Sequence, residues 1–160
     1  MNKKLPMLIS IACIICSCTG IPNARSDFTC SEKLNKYYTF CVQTVHATGA
    51  NLDDSFPEYA GRMLVMRLRK TGLNAIYKQE LFPTDFTYYL EMRVYEHEFM
   101  KNLSINYSSY MEVSIKDITG KELAIVSSKV DSPLSAAHAD CLNALISACV
   151  NSIINMVINK

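Results

Sequence analysis

The chain is short of punctuation and of chemistry. It has no tryptophan, and five glycines and five prolines in 160 residues, so it holds no long low-complexity segment, and no internal repeat stands in it. A Gly-x-Ser-x-Gly elbow, which would present a hydrolase nucleophile, is missing. So are a CxxC pair and a histidine cluster of the kind that holds zinc, which leaves no metal and no cofactor expected. No basic run occurs and the formal charge is only +1, which argues against nucleic acid as a partner. The one apolar run, near the start, is about eleven to fourteen residues long, short of the ~20 that cross a bilayer as a helix.

That run carries the first positive signal. Lys3 and Lys4 precede an apolar stretch broken only by Pro6 and Ser10, and Ser17-Cys18-Thr19-Gly20 follows it. A charged start, a short apolar run and small residues form an export signal. Two cleavage sites compete. Ile15-Cys16-Ser17-Cys18 resembles a bacterial lipobox at the end of the apolar run, with Cys18 as the acylated first residue and Cys13 and Cys16 discarded. Cleavage after Ala24-Arg25-Ser26 would instead release a soluble protein beginning at Asp27. The lipobox lies where a membrane-embedded peptidase meets it, so the expected division is signal peptide 1–17, lipidated Cys18 and tether 18–35, and one domain over 36–160. Acyl chains on Cys18 hold a protein at a membrane surface, each methylene contributing ~0.8 kcal/mol. Thr19 after the cysteine, by resemblance to enteric lipoproteins, implies the outer membrane facing the periplasm.

Loss of Lys3 and Lys4 takes the formal charge from +1 to −1. Four cysteines remain, Cys30, Cys41, Cys141 and Cys149, in a compartment that favours disulfides. Cys141 and Cys149 lie eight apart on one predicted helix, about 12 Å along its axis, too far to bond each other. Either Cys30 and Cys41 each bond to the last helix, or some of the four are buried thiols.

Periodicity then outlines a domain. Tyr38, Phe40 and Val42 alternate with polar neighbours as a first strand. Ser55-Phe56-Pro57-Glu58 has the form of a capping box, opening a helix that Gly72 stops. A short strand over 73–78 follows. Leu90, Met92 and Val94 share one face of a strand whose other face carries Glu91, Arg93 and Tyr95, the pattern of a sheet covered on one side. Met111, Val113 and Ile115 repeat it, Asp117 to Lys121 forms a hairpin turn with Gly120 left-handed, and a strand through Leu123 and Ile125 returns. The last helix, 134–157, is apolar except for a stripe of Asp140, Asn143, Ser147, Asn151 and Asn155. The expected fold is α+β: one antiparallel sheet of four to five strands with two helices on one face, in the order β-α-β-β-β-β-α.

Three clusters invite a chemical reading. His97 in Glu96-His97-Glu98 points away from both glutamates in a strand, which disfavours a shared ion. His138, Asp140 and Ser135 at the start of the last helix do not converge, because residues two apart on a helix do not face each other. The aromatics Tyr89, Tyr95, Phe99, Tyr107 and Tyr110 on the central strands form the one candidate contact surface, for a partner or an acyl chain.

With the Cys18 signal, the helix around Tyr59 to Leu68, Thr84-Asp85-Phe86-Thr87-Tyr88-Tyr89-Leu90-Glu91-Met92-Arg93-Val94, Met111-Glu112-Val113-Ser114-Ile115-Lys116-Asp117 before Gly120, and the alanine-rich last helix, the chain resembles the ABC-type transport auxiliary lipoproteins. These accompany lipid transporters of the mammalian-cell-entry type. The resemblance implies a non-enzymatic accessory or docking subunit of an envelope complex. The alternative is a secreted, disulfide-stabilised binding or effector protein.

Overall fold

The computed structural model describes residues 22–49, 52–77, 86–101, 104–133 and 138–158. The expected signal peptide, 1–17, and Cys18 lie outside the described residues. Six strands and two helices follow in order: β1 (Arg25–Cys30), β2 (Thr39–Thr48), α1 (Phe56–Lys70), β3 (Ala75–Tyr77), β4 (Thr87–Lys101), β5 (Ser104–Lys116), β6 (Glu122–Pro133) and α2 (His138–Ile158).

The sheet is six-stranded and mixed, in the order β1-β6-β5-β4-β2-β3, which corrects the expected antiparallel sheet of four to five strands. Two physical causes account for the difference. The segment expected as tether supplies β1, a strand whose exposed edge position requires no apolar alternation; its residues are mostly solvent-facing, and a ladder from Arg25 opposite Lys129 to Cys30 opposite Ala124 holds it. The helix α1 carries the chain from β2 back to a strand running the same way, so β3 pairs parallel to β2, and β2 also pairs parallel to β4. Such a βαβ crossover imposes parallel pairing. The remaining neighbours, β4 with β5, β5 with β6 and β6 with β1, are antiparallel.

Local signals explain most element ends. Gly72 adopts φ 85° while the amides of Gly72 and Leu73 close on Arg69 and Leu68, terminating α1 in the manner that favours glycine. Gly120 adopts φ 82° in the β5–β6 turn, where the Asp117 carboxylate accepts from the amides of Thr119 at 2.8 Å and Lys121 at 3.1 Å. The capping box does not form. Ser55 is in helical conformation and caps nothing; its hydroxyl donates to Asp53 at 2.7 Å, and Glu58 pairs forward with Arg62 at 2.7 Å.

Both helices lie on one face of the sheet, α1 over β2 and β3, α2 over β1, β5 and β6, and they touch each other. Between them and the sheet Phe40, Val42, Leu64, Leu68, Leu90, Met92, Met111, Ile115, Leu145, Ile146 and Ile153 are fully or almost fully buried. By length and composition α2 is apolar enough to cross a membrane, but here its apolar face closes the core.

Candidate functional site

Among the described residues, the opposite face of the sheet carries no helix. Alternation sends Leu90, Met92 and Val94 of β4 into the core and leaves Glu91, Arg93, Tyr95 and His97 on the open side, and the register continues each across to β5. Arg93 pairs with Glu112 at 3.2 Å and Lys116 with Glu91 at 2.7 Å. Exposed cross-strand pairs of this kind contribute only a few tenths of a kcal/mol, up to about 1, but they leave this part of the face charged and internally neutral.

The aromatic part lies higher on the same side. Tyr95 stands opposite Tyr110, and the two rings stack with centroids 5.8 Å apart and planes 28° apart. Lys129 from β6 places its Nζ 5.2 Å from the Tyr110 ring centroid and reaches Asp131 at 3.3 Å; Asp131 also accepts from the Ser108 hydroxyl. The Ser108 hydrogen bond, then that of Lys129, holds the Tyr110 phenol below its ordinary pKa. Tyr110, ahead of Asp131, raises that of Lys129. A shallow groove opens beside this group, bordered by Asn23, Arg25, Asp27, Ser127 and Lys129. Its chemistry suits a ligand with both aromatic or sugar-like faces and charge of either sign, because cations and anions alternate along it.

The five aromatics singled out from the sequence divide. Tyr95 and Tyr110 come together. Tyr89 is half-buried on the same face, at the level of Lys116, and Phe99 is half-buried further out, opposite Asn106. Tyr107 stands opposite Glu98 on the helix side of the ladder, so the five do not form one surface. Lys129 and Asp131 were not candidates; only the β5–β6 register brings them beside Tyr110. His97 is on the open face with Ser108 opposite, and Glu96 and Glu98 are on the other. Among the described residues no group of three or more His, Cys, Asp or Glu is placed to hold a metal ion. Ser135 lies outside the described residues, and Asp140 is exposed.

The cysteines sit in separate environments, and no disulfide joins the four. Cys30 is exposed at the end of β1, its thiol donating to the Glu32 carbonyl at 2.7 Å. Cys141 and Cys149 are buried under α2, whereas Cys41 lies between Phe40 and Val42 and therefore points to the open face of the sheet. The sheet separates Cys41 from the two helix cysteines. Burial alone pushes the Cys149 thiol up to about 12.

No family model and no curated protein matches the chain. Solved structures share its fold. A PelC dodecamer from Paraburkholderia phytofirmans superposes with a TM-score of 0.60 at 14% identity, covering 85% of this chain and 99% of that one. A second crystal form gives a TM-score of 0.57 at 11% identity, covering 82% and 97%. Protein XCC0632 from Xanthomonas campestris, of the DUF330 family, gives a TM-score of 0.45 at 10% identity, covering 78% and 82%. At these identities the likeness to the PelC structures is one of fold alone.

Proposed function

We propose that this protein is a non-enzymatic envelope lipoprotein, held by acyl chains on Cys18 at the periplasmic side of the outer membrane, and that it serves as an accessory or docking subunit of membrane machinery such as a lipid transport system. The observation that carries this reading is the position of β1. Cleavage before Asp27 would remove Arg25 and Ser26, which pair with Lys129 and Ser128. It would also remove the Ser26 hydroxyl, which donates to the Ala148 carbonyl at 3.1 Å and meets Ser152 at 2.9 Å. A start at Cys18 keeps the whole strand. The open sheet face, with its neutralised charges and its Tyr95–Tyr110 stack, is the docking surface in this reading.

Self-assembly belongs to the same proposal. The related fold of PelC occurs as a dodecamer, and here the sheet ends in β1 on one side and β3 on the other. Phe28 is exposed on the first edge, and Tyr59 and Met66 are exposed on α1 beside the second. Two unlike edges suit a head-to-tail contact, which closes into a ring when the rotation permits.

Intact mass of the protein from native membranes tests the anchor. The expected start is Cys18 carrying diacylglycerol, and Cys18→Ser is expected to leave the membrane fraction. A start at Asp27 without lipid overturns the reading and favours the secreted alternative.

A further inference from the structure

Strands β4 and β5 outrun their neighbours. The ladder with β2 stops at Thr48 opposite Tyr95, and that with β6 stops at Pro133 opposite Asn106, while β4 and β5 stay paired as far as Lys101 opposite Ser104. Residues 96–101 therefore extend about 20 Å past the end of β2, at ~3.3 Å per residue, as a prong that β6 flanks as far as Asn106 and that is two-stranded only at its tip, Met100–Lys101 opposite Ser104–Ile105. Near its end Met100 stands opposite Ile105. Both lie on the side that faces the helices lower down, but here they stay exposed, Met100 to 74% and Ile105 to 40%.

The direction of the prong matters as much as its composition. Arg25 pairs with Lys129 and Cys30 with Ala124, so the start of β1 points to the same end of the sheet as the prong. The seven-residue step from Cys18 to Arg25 reaches at most about 25 Å when extended, close to the length of the prong. That reach allows a lipid inserted through Cys18 to bring the bilayer surface to the level of Met100 and Ile105.

We infer that the prong is a second membrane contact, with Met100 and Ile105 inserting into the interface of the bilayer that holds the Cys18 lipid; this rests on the lipid-anchored reading above. The exposed Glu98 follows two positions back on the same side, about 7 Å away. It limits insertion to the shallow depth usual for interfacial segments. Tyr107, opposite Glu98 and carrying a polar hydroxyl on an apolar ring, sits just above that level, where such rings favour the boundary. Two points of attachment fix the tilt of the domain, so the open sheet face stands across the membrane surface instead of swinging on a leash.

Methionine oxidation by a water-soluble oxidant, read by mass spectrometry at each residue, tests this. Lipidated protein in phosphatidylethanolamine–phosphatidylglycerol vesicles is compared with Cys18→Ser protein in buffer. Met66 on α1, 40% exposed, is the reference. Met100 is expected to oxidise at least about fivefold more slowly in vesicles, with Met66 little changed, since burial of a methionine side chain is worth well over a tenfold preference. Equal rates overturn the inference. Protection in native membranes but not in vesicles also overturns it, because a partner protein then covers the prong. Intact mass of the same sample reads the anchor separately. Should the lipid be missing, flotation of the unlipidated chain with vesicles decides: loss on Met100→Asp with Ile105→Asp supports the prong, and no flotation of either form counts against it.

Discussion

The thiol of Cys149 shows how far burial alone can move a single group. It lies among apolar neighbours beneath α2, and its pKa of about 12 against an ordinary 9.0 has no cause but desolvation. The neutral thiol is favoured in the folded state, so its contribution to stability is complete below about pH 9 and is lost as pH rises from there through about 12. Denaturant midpoints measured at pH 8 and pH 11 are expected to differ less in Cys149→Ala than in the wild type. Maleimide applied to the native protein is expected to modify Cys30 and to reach Cys149 only after unfolding. The pairing of these cysteines was beyond the sequence, since spacing excluded one bond but could not show that Cys41 faces away from α2.

At the scale of elements, α1 packs closely against the edge strand β3 at Gly61. A β-carbon on Gly61 would stand 2.2 Å from Cε2 of Tyr77 and 3.0 Å from Cγ2 of Val45, with Arg62 lying over the same ring, 5.4 Å from its centroid. Gly61→Ala is expected to cost about 1–3 kcal/mol in chemical denaturation, as overpacking does, despite alanine's better helix propensity. Combining it with Tyr77→Leu is expected to cost less than the two single changes added together. Legibility followed the amount of local information. The alternation through Leu90, Met92 and Val94 and the glycines at 72 and 120 identified β4, the end of α1 and the β5–β6 turn. The strand β1 was illegible because Phe28 is the sole large apolar residue in Arg-Ser-Asp-Phe-Thr-Cys, and the parallel pairing of β2 because pairing direction is set by the crossover and leaves no trace in either strand. The site divides likewise: Tyr95 was readable from β4 alone, whereas its stack on Tyr110 and the place of Lys129 beside it depend on register between strands. The exposure of Met100 and Ile105 is not legible in the sequence, because alternation assigns both to the helix side and only the ends of β2 at Thr48 and of β6 at Pro133 leave them open.

For the whole molecule, the join between the two ends of the chain is decisive. Ser26 and Ser152 meet across 126 positions, and Ser152 is buried, so removing one hydroxyl leaves the other without that partner. Ser26→Ala is expected to cost about 1–2 kcal/mol. A chain beginning at Asp27 is expected to lose at least as much, read as a lower thermal midpoint. That strand also sets a schedule. It is made first, yet its pairing partner β6 and the helix it leans on are made last, so it must wait while the rest of the domain is completed. Contacts so distant in sequence form slowly. Docking of β1 is then a final latch, closed on an otherwise completed body.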